Sequence, residues 1–348
     1  MTNPLQPLVG VLTLALLAPL PALALDWVDR LESRLEVVDT EFSGDLSVYV
    51  AHTGSGESVS LRGHEHWYLA STIKVPVAIE LLAQVDAGER SLDDQVALEG
   101  RDYVDGAGQT NWHDVGTEFT LEHLLQEMLV VSDNAASDMV IRTVGIDNVN
   151  TRMEALGLDF VGPITSLADV RRRVYGEFHD GAASLDGPGF FSIRQANNPD
   201  GRVDVLAEVL GVSRSEFSQP DLDSAFDAYY QTPYNSGTLS AMGQMMARLV
   251  EGELLSADST DYLLDLLQTI ETGDNRLRAT LPDDARFAHK TGTQHRRACD
   301  IGAVLAENDR SAVVVAVCTR GPRSTAEAER AMRAVGEAVT ESGVLDRL

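Results

Sequence analysis

Of the 27 basic side chains in this sequence only two are lysine: Lys74 in "STIK" and Lys290 in "HKTG". A guanidinium stays charged at any working pH and is a poor proton carrier. An amine opposed by desolvation or by a second cation can lose its proton and serve as a base. Ser71 and Lys74 stand three residues apart where a strand-rich segment gives way to a helical one. Residues at that spacing share a helix face, so the pair has the geometry of a lysine-activated serine nucleophile. Ser132-Asp133-Asn134 lies between two helical stretches. Its hydroxyl can pass a proton to a leaving group and its amide can hold a substrate carbonyl. Lys290-Thr291-Gly292-Thr293 continues a strand that begins "RFAH". A strand edge offers N–H and C=O groups to an extended substrate, Gly292 permits its close approach, and Lys290 supplies positive charge.

The surrounding pattern says which elements must carry these groups. "WVDRLESRLEVVDTEF" has helical spacing, and "DLSVYVAHTGSGESVSLRG" reads as two strands around the turn "TGSGE". From "TIKVPVAIELLAQVDAG" the chain is mostly helical, with two helices joined or kinked near Ser132. Strands return at "ARFAHKTGT", "DIGAVLAE" and "AVVVAVCTR", and "TAEAERAMRAVGEAVTESG" closes the chain as an amphipathic helix. The expected fold class is therefore α/β of the α+β kind: terminal strands form one antiparallel sheet flanked by the terminal helices, beside an all-helical lobe. Residues 162–231, with "GPITS", "DGAASLDGPG" and "NNPDGR", read as an extended loop-rich excursion containing some helix.

S-x-x-K, S-D-N and K-T-G in this order resemble the signature of class A β-lactamases and penicillin-binding serine hydrolases. The surroundings are similar too, in "ASTIKVPVAIELLAQVDAGE", in "GTEFTLEHLLQEMLVVSDNAASDMVI" and in the run into "RFAHKTGT". The resemblance implies a β-lactamase/transpeptidase-like fold and an acyl-enzyme formed on Ser71. Lys74 would be a base for acylation, and Ser132 would relay a proton to the β-lactam nitrogen. Asn134 would hold the substrate's side-chain amide, and Lys290 and Thr291 would bind its carboxylate. Gly292 would leave room along the strand, and the N–H groups of Ser71 and Thr293 would form the oxyanion hole. A cluster of His289, His295, Arg296 and Arg297 beside that strand would suit an anionic substrate.

One part of the pattern is missing. Class A enzymes clear the acyl group with a glutamate in E-x-x-L-N, and this chain has no such run. Matching "ITSLADVR" to the usual start of that loop puts Arg171 where the glutamate would fall. Glu177 in "RRRVYGEF" is the nearest acid in a comparable setting and is the candidate deacylating base; Glu99, Glu118, Glu127 and Asp169 follow it. Without a positioned base the acyl group would persist. The resemblance therefore implies a serine β-lactamase, with a D,D-peptidase or esterase of the same fold as the alternative. A non-catalytic sensor of β-lactam or peptidoglycan is a third reading, disfavoured because all three motifs stand intact.

Whole-chain properties limit the partners. A net charge of −27 argues against nucleic acid or anionic membrane, which need clustered positive charge, and favours a self-repelling monomer. The substrate class implied is a small β-lactam or a peptidoglycan-like D-Ala-D-Ala peptide. His64-Glu65-His66 would place two imidazoles on one strand face. No third ligand accompanies them, so no metal and no cofactor is expected. Residues 1–24 read as a secretory signal ending in Ala22-Leu23-Ala24, leaving a hydrolase domain from residue 25 to 348 in the periplasm or outside the cell. In a hairpin turning at Asn308-Asp309, Cys299 and Cys318 stand opposite each other, and an oxidising compartment would permit a disulfide. "RRR" at 171–173 reads as an ion-pair anchor. Tyr103 and Trp112 read as core residues or pocket walls.

Overall fold

The computed structural model describes residues 26–158, 162–307 and 311–348. The signal-segment reading of residues 1–24 and the turn expected at Asn308-Asp309 lie outside these residues. In chain order the elements are α1 (Trp27–Glu41), β1 (Asp45–His52), β2 (Ser58–Leu61), β3 (His66–Tyr68) and a 3₁₀ turn (Ala70–Ile73). Then come α2 (Lys74–Asp86), β4 (Gln95–Ala97), β5 (Glu118–Thr120), α3 (Leu121–Val130), α4 (Asn134–Val144) and α5 (Ile146–Ala155). The next run is α6 (Leu167–Gly176), α7 (Gly187–Gln195), α8 (Pro199–Leu210) and α9 (Leu222–Tyr229). The chain closes with β6 (Ser236–Thr238), α10 (Leu239–Val250), α11 (Ala257–Gln268), β7 (Arg286–Gln294), β8 (Arg297–Leu305), β9 (Ala312–Arg320) and α12 (Thr325–Ser342).

The terminal strands form one antiparallel sheet in the order β2-β1-β9-β8-β7, as the sequence pattern implied. Strands β8 and β9 are buried on both faces and mostly apolar, because both faces are covered. On one side α1 and α12 bury Trp27, Leu31, Leu35, Met332, Val335 and Val339 against it. Each such large apolar side chain contributes about 1.5–3 kcal/mol on leaving water. On the other side Met242 and Met246 of α10 join the core that also holds α2 to α6. The sheet is thus a rigid wall, with β7 as its edge facing the helical lobe. Among the described residues, no helix is long and apolar enough to cross a membrane.

Two expectations change. Residues 162–231, expected as an extended loop region, fold mostly into α6, α7, α8 and α9. The Gly, Pro, Asn and Asp clusters there are helix starts: Ser166, Asp186, Asn198 and Asp221 each accept a backbone N–H from three residues on. Pro188 and Pro199 stand in the first turns, where a missing N–H costs nothing. The same residue types punctuate loops and cap helices, so composition alone misread them. The second change concerns His64-Glu65-His66: only His66 is in a strand, and the His64 ring bonds the Ser240 hydroxyl at 3.0 Å. No group of metal-ligating side chains occurs among the described residues.

The cysteine register is as expected. Cys299 pairs with Cys318 across β8 and β9, and the two are joined in a disulfide with Cα atoms 4.1 Å apart.

Candidate active site

Ser71 sits in the 3₁₀ turn that leads into α2, and Lys74 is the first residue of that helix. The turn is held by Ala70 at φ +49°, a left-handed conformation that a non-glycine residue adopts only under constraint. A second such residue is Ser132 at φ +62°, in the break between α3 and α4. Asp133 builds that break by capping α4: its carboxylate accepts the N–H groups of Ala136 and Thr110, each at 2.9 Å.

Lys74 is fully buried and spans the gap between these two turns. Its Nζ lies 2.7 Å from the Ser132 carbonyl, 3.2 Å from Ser132 Oγ, 3.3 Å from the Asp133 carbonyl and 3.0 Å from Asn134 Oδ1. Burial pulls the ammonium down to about 7; Asp133 and Asp138 oppose the fall and Arg171 adds to it. The amine is therefore poised between its two forms near neutral pH. Ser71 is half-buried, and among the described residues its hydroxyl has no hydrogen-bond partner. The structure thus links Lys74 to Ser132 directly and leaves Ser71, the expected nucleophile, uncommitted.

Asn134 is fixed at both ends. Its Oδ1 meets Lys74, and its Nδ2 donates to the Asp105 carbonyl at 3.0 Å, which leaves one N–H to give. Strand β7 closes the site from the sheet side. A methyl placed on Gly292 would come within 2.7 Å of the Leu69 carbonyl and 2.9 Å of the Ser71 amide. Glycine is needed there so that β7 can lie against the backbone of Leu69 and Ser71, whereas the sequence suggested room for substrate. Lys290 is fully buried, with Nζ 3.1 Å from the Thr291 carbonyl. Burial, Lys74 and Arg276 all push its ammonium well down, and Asp300 opposes them.

Arg276 is a member of the site that the motifs did not point to. It is 4% exposed and donates to the Cys299 carbonyl (2.8 Å), the Gly292 carbonyl (3.1 Å) and Thr293 Oγ1 (2.6 Å). It therefore ties β7 and β8 together beside the expected oxyanion strand. In a chain whose basic residues are nearly all arginine, nothing in the sequence sets this one apart.

The excursion contributes an inverted charge. Arg171 of α6 donates from Nε to Asp105 Oδ1 at 2.5 Å, and its side chain is only 13% exposed. The cation beside Lys74 thus stands on the helix that was expected to bring a carboxylate. Glu177 stands at the C-terminal cap of α6, half-buried, and no hydrogen bond or ion pair reaches its carboxylate among the described residues. The charges that act most on Lys74 are Asp133, Asp138 and Arg171. Of the weaker candidates, Glu99 is paired with Arg101 and Arg142, and Asp169 with Arg172. Arg172 and Arg171 are anchors as expected, whereas Arg173 stacks over the Tyr234 ring at 3.5 Å.

Other expectations are corrected by the packing. His295 and Arg296 are bound to Asp223 at 2.7 and 3.4 Å, and Arg297 lies 3.8 Å from Asp227. The basic cluster is therefore neutralised by α9 and is not a free anion patch. His289 is fully buried against Asp300. Trp112 is 77% exposed and belongs to no core.

Asp138 was not anticipated either. It is buried in α4 and accepts the N–H groups of Leu167 and Ala168 at 2.6 and 2.9 Å, so it pins the start of α6 beneath Lys74. Burial raises its carboxyl to about 7, against the pull of those two amides and of Lys74.

Residues 30–342 match the beta-lactamase enzyme family. A beta-lactamase from Amycolatopsis lactamdurans is 26% identical over 288 residues, which cover 83% of this chain and 76% of that protein. An ancestral class A beta-lactamase structure is 25% identical with a TM-score of 0.66, over 89% of this chain and 99% of that one. A mutant of PBP-A solved as an acyl-enzyme complex with penicillin G has a TM-score of 0.67 at 20% identity, over 92% of this chain and 97% of that one. At that identity the likeness speaks for the fold.

Proposed function

This chain belongs to the beta-lactamase enzyme family and is a serine β-lactamase-type hydrolase, and on that premise we propose that it opens the β-lactam amide through an acyl-Ser71 intermediate. The observation that carries the residue assignment is the buried Lys74, in contact with Ser132 and Asn134 one helical turn from Ser71. The neutral amine takes the Ser71 proton as Oγ bonds to the lactam carbonyl carbon. The N–H groups of Ser71 and Thr293 hold the developing oxyanion. The proton then passes from Lys74 through Ser132 Oγ to the lactam nitrogen as the C–N bond breaks. The remaining N–H of Asn134 Nδ2 holds the substrate's side-chain carbonyl, and Lys290, Thr291 and the edge of β7 at Gly292 receive its carboxylate end.

Glu177 is the proposed deacylating base, supported by its uncommitted carboxylate on the helix that carries Arg171. A second reading has a specific observation behind it. Arg171 paired with Asp105 favours a long-lived acyl group and a D,D-peptidase or esterase acting on D-Ala-D-Ala-like peptides. Incubation with a chromogenic cephalosporin separates the two. Steady turnover by the native chain, with none by Ser71→Ala, is expected; a stable adduct on Ser71 without turnover would favour the second reading. Glu177→Ala is expected to slow deacylation and leave acylation fast. If both steps are unchanged, Glu177 is not the base.

Export, in the periplasm or beyond, is supported by the Cys299–Cys318 disulfide, which an oxidising compartment sustains. The net charge of −27 supports a monomer that binds small acyl donors and not nucleic acid or membrane.

A further inference from the structure

Asn134 and Arg171 meet at one backbone carbonyl. The Asp105 carbonyl accepts from Asn134 Nδ2 at 3.0 Å and from Arg171 Nη2 at 3.3 Å. Gly106, the next residue, lies against both side chains. A methyl on it would come within 2.1 Å of Asn134 Nδ2 and 3.7 Å of Arg171 Nη2. Asn134 Oδ1 is in turn 3.0 Å from Lys74 Nζ. Helix α6 therefore sets a guanidinium beside the amide that faces Lys74, and the acyl-transfer steps give that guanidinium no task.

The guanidinium is held in place without being used up. It has five N–H groups. Asp105 Oδ1 takes the one on Nε at 2.5 Å, and the Asp105 carbonyl takes one on Nη2. Nη1 has no hydrogen-bond partner among the described residues. The outer edge made by Nη1 and Nη2 thus keeps N–H groups to give, and the side chain retains 13% exposure. That edge is the one a carboxylate grips with two parallel bonds. Asp105 orients the fork from the Nε side and leaves its end open. The phenols of Tyr175 and Tyr68 also stand near Arg171, and burial raises both, so neither sets a negative charge against an incoming anion at neutral pH. Two donors that reach the same carbonyl oxygen are close enough to be bridged by a carbonyl and a carboxylate joined through one carbon.

We propose that Arg171 is a specificity-determining residue for the acyl side chain: it receives a carboxylate borne on the carbon next to the side-chain carbonyl that Asn134 holds, so that the preferred acyl donors have an anionic side chain. The inference rests on the reading of Asn134 as the amide that holds this carbonyl.

The test compares benzylpenicillin with its analogues carrying a carboxylate or a neutral carboxamide on the side-chain α-carbon. Binding to the full chain with Ser71→Ala is measured by calorimetry, so no acylation is needed. The carboxylate analogue is expected to bind about tenfold more tightly than benzylpenicillin or the carboxamide, as suits a charge-assisted hydrogen-bonded pair. Adding Arg171→Gln should abolish that preference and change benzylpenicillin binding much less. Equal or undetectable binding of the three compounds would overturn the proposal, and so would a preference that survives Arg171→Gln. If Arg171→Gln leaves Asp105 unpaired and the chain does not fold by circular dichroism, Arg171→Gln with Asp105→Asn decides. It removes both charges of the pair together, so no buried charge is left alone. A carboxylate preference that persists there would overturn the proposal equally. A native chain whose Ser71 no penicillin acylates would sink the proposed function, and the affinities measured with Ser71→Ala would still judge Arg171.

Discussion

Lys74 shows why lysine persists here in a chain written in arginine. Its side chain is fully buried and its ammonium is held down to about 7, so near neutral pH a sizeable fraction is the free amine. In the proposed mechanism the deprotonated form is the base. Acylation by penicillin should therefore rise with pH through about 7, level off above it, and fall about tenfold per unit below. A pH series of adduct formation followed by mass spectrometry checks this. Lys74→Arg keeps the charge and abolishes the titration. It is expected to slow acylation by about 10²–10⁴-fold, as loss of a general base does. If Lys74→Arg were acylated at the native rate, Lys74 would not be that base.

At the scale of elements, the site depends on breaks between helices as much as on helices. The α3–α4 break presents Ser132 and Asn134 to Lys74, and the loop at Asp105 fixes Asn134 from the other side. The Arg171–Asp105 pair locks α6 to that loop. Asp105→Ala leaves a mostly buried guanidinium without its partner. It is expected to destabilise the fold by about 3–5 kcal/mol, read as a drop in Tm. It should also loosen α6 and so raise KM. Replacing Asp186 by alanine at the cap of α7 is a milder test of the same region, expected to cost about 1 kcal/mol.

For the whole molecule, the five-stranded sheet is the fixed reference against which the helical lobe places its groups. The disulfide joins its two innermost C-terminal strands one position from Asp300. It closes a loop of sequence separation 19, so replacing Cys299 and Cys318 together by alanine is expected to cost about 3 kcal/mol in urea unfolding. A net charge of −27 also means self-repulsion in the folded state, and moderate salt should raise Tm by screening it. A Tm that falls with added salt would contradict that account.

The sequence by itself determined which residues are the candidates to meet substrate and which elements bear them. Ser71, Lys74, Ser132, Asn134 and the strand of Lys290 are local motifs. Their spacing, the alternation of the strands and the register of Cys299 with Cys318 are short-range properties that a linear reading carries. Only the tertiary structure decided which charges surround them. Arg276, Asp105, Asp138 and Asp300 lie outside the three motifs, and their effect depends on folded distance and burial, which spacing along the chain does not encode. The same is true of residues 162–231, where identical residue types serve as loop formers or helix caps according to whether the next turn finds an apolar face to pack against.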